Sequence, residues 1–219
     1  MNLKELRDEV CHVNRMLPAT GLVTVHSGNA SGLDRAAGRL VIKPSGMDYD
    51  MLTPENLVEV DLETGAVVDS RLRPSVDLPH HLFLYRNLPE VGGIIHTHSN
   101  YATAMAAVGR AIPLCLTAIA DEFGAEIPCA PYVDNVGDHI GQAILKHRNR
   151  SPAILLGSHG VFAWGATPRA ALKAAVMTED VAKTVHLALQ VGQPQVIPPA
   201  EAEKWYDRYH NRYGQGEDG

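Results

Sequence analysis

The chain has 219 residues, 45% of them hydrophobic and 20% charged, with a formal net charge of -6. That length suits one core rather than two full domains, and the composition is that of a globular chain, not a disordered one. The acidic balance without a basic stripe argues against nucleic acid, and no run of eighteen apolar residues predicts a membrane span, so a cytoplasmic location is expected. Three cysteines, Cys11, Cys115 and Cys129, form no C-x-x-C pair, which disfavours a disulfide framework and a cysteine-rich zinc site.

The opening MNLKELRDEVCHVNRML reads as an amphipathic helix, with Leu3, Leu6, Val10, Val13 and Leu17 on one face and charges on the others. GLVTVHSGNASGL, RLVIKPSGM and LVEVDLETGAVVDS then read as strands bounded by glycine, asparagine or proline, the last with a Thr-Gly turn suited to a hairpin. DLPHHLFLYRNLP reads as a short helix entered through Asp77, followed by the strand GGIIHTHS and the small-residue helix YATAMAAVG. IPLCLTA, GDHIGQAILKHRN, AILLGSHG and VFAWG continue the mixture, and Thr167 and Pro168 open a long helix carrying Leu172, Ala175, Val176, Val185 and Leu189. QVGQPQVIPPAEAEKW breaks that helix and leaves KWYDRYHNRYGQGEDG as an aromatic, charged tail, either frayed or docked. No internal repeat, G-x-G-x-x-G or Walker loop occurs, so no Rossmann or P-loop nucleotide site is supported.

His96 and His98 stand out against this background. Positions two apart on a strand share a face, so the two imidazoles lie side by side at the end of an apolar strand, where burial is costly unless they are coordinated or hydrogen-bonded. A catalytic zinc site commonly has three protein ligands, and His159, at the Ser-His-Gly corner between two strands, is the best third candidate. His80 and His81, adjacent on a helix and pointing apart, read as surface or packing residues.

The ordered set GNASG, IKPSGMDY, RPSVDLPHH, GGIIHTHS, ADEFGAEIPC and GSHGVFAWG resembles the class II aldolase and epimerase superfamily, and within it the L-ribulose-5-phosphate 4-epimerases. The resemblance runs over roughly residues 3 to 190, plus YGQ near the C-terminus. It implies a single domain with a three-layer α/β/α fold around a mainly antiparallel central sheet. It also implies a Zn2+ ion, for which Mn2+ or Co2+ can substitute, and a four-fold symmetric homotetramer with sites between subunits, residues 198–219 being a tail that reaches a neighbour. By the same resemblance His96, His98 and His159 are metal ligands and Asp77 is an acidic group that can reach the metal, although Asp77 also suits a helix N-cap.

Gly28, Asn29, Ser45, Gly46, Ser75 and Val76 match the superfamily's substrate and phosphate loops. Such turns offer backbone N–H and hydroxyl donors to an anion, and Lys43 adds charge. Where the epimerases carry a second serine before the aspartate this chain has Val76, so that donor is a backbone N–H. Asp121 and Tyr213 align with the family's two acid/base residues, the tyrosine closing a neighbouring subunit's site. The tail is shorter than in the family, and Trp205 stands where a histidine is expected.

These matches imply epimerisation of L-ribulose 5-phosphate to D-xylulose 5-phosphate. The hydrogen on carbon 4 is next to no carbonyl, so deprotonation there is excluded, and reversible cleavage between carbons 3 and 4 remains, with a Lewis-acidic metal stabilising the enediolate. Proton carriers are then needed on both faces of the aldehyde. The alternative within the fold is an L-fuculose-1-phosphate-type aldolase, whose members carry a glutamate at Asp77. A sugar-acid phosphate decarboxylase or a dehydratase would use the same scaffold. From another class, a non-catalytic zinc-stabilised sugar-phosphate sensor would need the histidines and turns but not Asp121 or Tyr213.

Overall fold

The amphipathic opening forms helix α1 (Leu3–Ala19) in the computed structural model, which describes residues 2–68 and 70–214. A capping box starts it: the Asn2 side chain accepts from the Glu5 N–H and the Glu5 carboxylate accepts from the Asn2 N–H, satisfying two orphan donors at once. Leu6, Val10, Val13 and Leu17 are buried, as their spacing predicts. Asn14 is buried among them because its amide is used at both ends, Nδ2 donating to the Val10 and Ala30 carbonyls and Oδ1 accepting from the Ala30 N–H.

Seven strands make one sheet: β1 (Asn29–Asp34), β2 (Arg39–Ile42), β3 (Val58–Asp61), β4 (Gly93–Thr97), β5 (Cys129–Ala130), β6 (Ala153–Leu156) and β7 (Gly160–Gly165). Their order is β3-β2-β1-β4-β7-β6-β5, and every pairing is antiparallel except β5 with β6. Central β4 is buried at all five positions, since helices cover both sheet faces and alternation gives no wet side. On one face α1, α3 (Asn100–Ala107), α4 (Thr117–Phe123) and α6 (Pro168–Val191) build a core with Ile95, Leu155 and Ala163. On the other, α2 (Leu78–Asn87) and α5 (His139–His147) pack with Ile94, Ile154 and Phe162. The three-layer α/β/α fold with a mainly antiparallel sheet is therefore present.

One local expectation is corrected and two are narrowed. In GLVTVHSGNASGL only the residues from Asn29 onward are strand. The carbonyls of Ser27 and Gly28 accept from the Tyr49 hydroxyl at 2.7 and 3.0 Å instead of joining a ladder, and Val25 sits at φ +56, a costly conformation for a β-branched residue. The Thr64-Gly65 turn closes a short hairpin: the Asp61 N–H donates to the Ala66 carbonyl at 2.9 Å and the Val68 N–H to the Glu59 carbonyl at 3.0 Å around one bridge, Val60 to Val67, and Val67 and Val68 stay exposed. Of the two readings open for His80 and His81, packing holds: both are completely buried, because α2 presses them against the sheet through Phe162, at ring-centroid distances of 6.5 and 5.7 Å.

The tail is docked. Helix α7 (Pro199–Arg212) packs on α4 and buries Ala202. Arg150 pairs with Glu203 and lies 4.0 Å from the Tyr206 ring centre, while Lys173 lies 4.6 Å over Tyr209 and pairs with the buried Glu122. Gln215 of the YGQ motif lies outside the described residues. Among the described residues no helix is long and apolar enough to cross a membrane.

Candidate metal centre

Three imidazoles from two neighbouring strands converge at one end of the sheet. His96 is the fourth residue of β4, His98 lies just past its end, and His159 occupies the turn between β6 and β7. Antiparallel pairing of β4 with β7 puts Thr97 opposite Val161, which brings the His159 turn beside the His96–His98 corner. One ligand atom from each of the three histidines lies within 4.8 Å of the others. Ring centroids are 4.7 Å apart for His96 and His98, 4.8 Å for His96 and His159 and 5.4 Å for His98 and His159.

The backbone at this corner is tightly packed. A Cβ on Gly160 would fall 2.4 Å from the Thr97 carbonyl oxygen and 2.7 Å from His98 Cδ2, so only glycine lets the His159 turn approach. Gly28, at φ +74, meets β4 in the same way, its Cβ direction ending 2.7 Å from the His96 carbonyl oxygen. Ser158, immediately before His159, has φ +56, a left-handed conformation rare outside glycine and asparagine.

The protonation pattern suits a cation. His96 Nδ1 lies 2.9 Å from the Val161 carbonyl oxygen; a carbonyl can only accept, so Nδ1 carries the proton and Nε2 is the bare nitrogen. That Nε2 faces Nε2 of His98 at 3.0 Å, near the roughly 3.3 Å that two nitrogens about 2.05 Å from a tetrahedral ion would show. Burial lowers the pKa of all three histidines, that of His96 to about 4, with His98 and His159 pushing the same way. All three are thus neutral at pH 7, the form that ligates a metal. Phe162 stacks on the His96 ring at 4.6 Å and closes its inner side. The residues therefore fit a divalent cation, with imidazole nitrogens as donors.

Asp77 sits at the N-cap position of α2, yet its side chain makes no capping bond. Its Oδ2 instead accepts from Asn29 Nδ2 at 2.6 Å and lies 3.5 Å from Ser75 Oγ. Burial would raise its pKa, but His96, His81 and the Asn29 hydrogen bond outweigh that and hold the carboxyl below its ordinary range. Asp77 lies outside the mutual 4.8 Å cluster formed by the three histidines, and neighbours it through Asn29, which pairs with His96 across β1 and β4. Asn29 Oδ1 is buried and has no hydrogen-bond partner among the described residues, an acceptor available to a ligand hydroxyl.

The loops matched to phosphate binding are neighbours. Ser45 N–H donates to the Arg73 carbonyl and Ser75 N–H to the Lys43 carbonyl, both at 2.9 Å, zipping segment 43–46 to segment 73–75. Lys43 is 2% exposed, and its Nζ reaches only the His26 and Pro44 carbonyls, each at 3.4 Å, and the Tyr49 ring at 4.8 Å. Burial lowers its pKa, and among the described residues it forms no ion pair. A buried ammonium so weakly partnered is stabilised by an incoming anion. Ser45 and Gly46 are exposed in the turn after Lys43, whereas Ser75 is buried with its hydroxyl turned toward Asp77. Val76 is 73% exposed.

Asp121 and Tyr213 are not part of this cluster. Asp121 is half-buried on α4, Tyr213 follows α7 with 65% exposure, and among the described residues no hydrogen bond joins either to the histidines. The packing of α7 on α4 places them on adjoining elements, and Tyr213 stacks on Tyr209 at 5.3 Å. Five clefts of about 300 to 760 Å3 are formed elsewhere, and none of these five is lined by His96, His98 or His159. Reasoning from the sequence missed Phe162 and the Val161 carbonyl as supports of His96, although the apolar alternation of VFAWG marked that strand. It also missed Tyr49 as the post beneath the Gly28 loop; nothing in the local pattern separates it from an ordinary turn tyrosine.

The model of the family described as Class II Aldolase and Adducin N-terminal domain matches residues 8–186. An L-fuculose 1-phosphate aldolase structure superposes with a TM-score of 0.85 at 27% identity, covering 94% of this chain and 96% of that one. The aldolase/epimerase/decarboxylase candidate YgbL from Klebsiella pneumoniae gives 0.82 at 26%, covering 94% and 99%, and L-fuculose-1-phosphate aldolase from Thermus thermophilus gives 0.69 at 26%, covering 85% and 95%. None of these three is described as an L-ribulose-5-phosphate 4-epimerase. With the family model spanning most of the chain and the fold agreeing along nearly its whole length, this protein belongs to the class II aldolase and adducin N-terminal domain family.

Proposed function

We propose that this protein cleaves and re-forms a carbon–carbon bond of a ketose phosphate in the manner of L-fuculose-1-phosphate aldolase, at a Zn2+ centre held by His96, His98 and His159. The observation that carries the reading is the convergence of three neutral imidazoles, with His96 Nε2 bare and turned toward His98. Bound zinc would supply Lewis acidity, drawing off the negative charge that develops when the bond breaks. Lys43, Ser45, Gly46, Gly28, Ser75 and the Val76 N–H would hold the phosphate, and Asn29 Oδ1 would accept from a sugar hydroxyl. In the cleavage direction a base takes the proton from the carbon 4 hydroxyl, the bond between carbons 3 and 4 breaks, and carbon 4 departs as an aldehyde. The electron pair remains on the three-carbon fragment as an enediolate, and a proton delivered to carbon 3 completes dihydroxyacetone phosphate. Asp77, ionised beside His96, would be that base: it takes up the hydroxyl proton and, once protonated, returns it to carbon 3.

A second reading is C4 epimerisation of L-ribulose 5-phosphate, in which the aldehyde fragment rotates and is attacked on its other face before release. It is favoured by Asp77 in place of the glutamate of the aldolases this chain resembles, and by Asp121 and Tyr213 as proton carriers on the two faces. Completion of the site by a neighbouring subunit in a homotetramer is supported by the exposure of His98 and Tyr213. The test is NMR of products formed by zinc-loaded protein from L-fuculose 1-phosphate and from L-ribulose 5-phosphate, with and without a chelator. Chelator-sensitive release of dihydroxyacetone phosphate from the first is expected. Formation of D-xylulose 5-phosphate from the second, without cleavage of the first, would transfer the assignment to the epimerase. Zinc-dependent binding of both without turnover would leave a sugar-phosphate sensor.

A further inference from the structure

The two histidines of the H-x-H pair are held by different means. His96 belongs to the β4 ladder and is pinned at Nδ1 by the Val161 carbonyl. His98 lies beyond Thr97, the last paired residue of β4, and two residues before helix α3, so the start of that helix decides where His98 stands.

Helix α3 is capped from a distance. Its N-cap residue is Ser99, a type that ordinarily accepts from the N–H groups two or three positions on, yet Ser99 makes no such bond and its Oγ is buried without a partner among the described residues. Those two N–H groups, of Tyr101 and Ala102, donate instead to Oε1 and Oε2 of Glu179, both at 2.9 Å. One carboxylate from the middle of α6 thus takes over the capping of a helix 77 and 78 positions away in sequence, at the end where the helix dipole favours negative charge. The same face of α6 fixes Tyr101 further, with the His186 ring 5.5 Å from its ring and Lys183 Nζ 5.8 Å from its ring centre. A local serine cap would rotate with the corner it caps; a carboxylate on a 24-residue helix anchors that corner to the core behind it.

We propose that Glu179 is a positioning residue of the metal centre, fixing the turn that aims His98 at the ion by capping α3 from α6. The proposal rests on the metal reading of the triad. The experiment measures zinc affinity by chelator competition, the visible spectrum of the Co2+-substituted protein and the melting temperature of the metal-free protein. The proteins compared are wild type, Glu179→Ala, Glu179→Gln and a control, Val13→Ala, which weakens the core on α1. Glu179→Ala is expected to raise the zinc Kd by about tenfold or more, the range typical of groups that orient a ligand, and to change the Co2+ bands. Glu179→Gln, which keeps one accepting oxygen, should fall between, and Val13→Ala should lose melting temperature with its Kd unchanged. A Glu179→Ala protein that melts lower but keeps the wild-type Kd and Co2+ spectrum overturns the proposal. If that variant does not fold, a wild-type Kd in Glu179→Gln overturns it equally. Wild-type protein that binds no zinc would remove the metal reading itself, a result visible before any variant is compared.

Discussion

His96 and Tyr213 mark the two extremes of constraint in this molecule. His96 is buried in the middle strand of the sheet, with both neighbouring strands paired to it, a carbonyl on its Nδ1 and Phe162 stacked on its ring. Tyr213 follows the last helix, 65% exposed, with a stacked tyrosine and the Arg208 guanidinium 5.7 Å from its ring centre as neighbours. One chain by itself therefore assembles the imidazole cluster, whereas the proton carriers proposed at Asp121 and Tyr213 hang on α4 and α7 with no bond to it. Metal binding and proton transfer should accordingly fail separately when mutated.

The largest effect is expected at the constrained end. His96→Ala should lose bound metal and turnover together, with zinc affinity falling by more than the roughly 10–100-fold typical of groups that only orient a ligand; metal analysis and product assays on the same sample check this. Retained stoichiometric metal would show that His96 is not a ligand.

Next comes Gly160→Ala. The added Cβ meets the Thr97 carbonyl at 2.4 Å, backbone against backbone, so the β4–β7 corner must open, at about 1–3 kcal/mol of stability, with weaker zinc binding. Chemical denaturation with zinc titration measures both, and an unchanged stability would mean that the corner yields more readily than its packing implies.

A pH effect of intermediate size follows from the buried imidazoles. Burial holds His96 at about 4 and His81 at about 3, against an ordinary value of 6.5. The unfolded chain therefore takes up protons near pH 6.5 that the native state refuses until much lower pH, so unfolding gains proton binding as the pH falls. Stability of the metal-free protein should be fully present above about pH 6.5 and decline steadily toward pH 4 and below. A melting temperature flat across that window would contradict the buried neutral assignment.

The smallest structural effect is expected at the free end. Tyr213→Phe should leave stability within about 0.5 kcal/mol and metal content unchanged, while turnover falls by about 100-fold if the phenol carries a proton. Normal turnover would remove the tail from the mechanism and sharpen the contrast between the two regions into a division between chemistry and packing.

Much of this was legible along the chain. The helical spacing of Leu6, Val10, Val13 and Leu17 gave α1, the apolar run before His96 gave β4, and Thr167-Pro168 opened α6 at the observed residue. These are local signals, carried by residues within a few positions of one another. Illegible were features whose partners lie far off in sequence. The segment before Asn29 reads as strand but is spent on Tyr49, and His80 and His81 have no local mark of burial because Phe162, from β7, is what covers them.

The sequence by itself determined helix α1, strand β4, the start of α6, the side-by-side pair His96 and His98 and, through its ordered motifs, the family to which the chain belongs. Only the tertiary structure decided that His159 meets that pair, that Asn29 holds Asp77 beside it, and that α3 is capped by Glu179. The reason is physical: periodicity and turn chemistry act over a few residues, whereas an imidazole cluster, a buried ammonium or a remote cap exists only once strands and helices distant in the chain have packed.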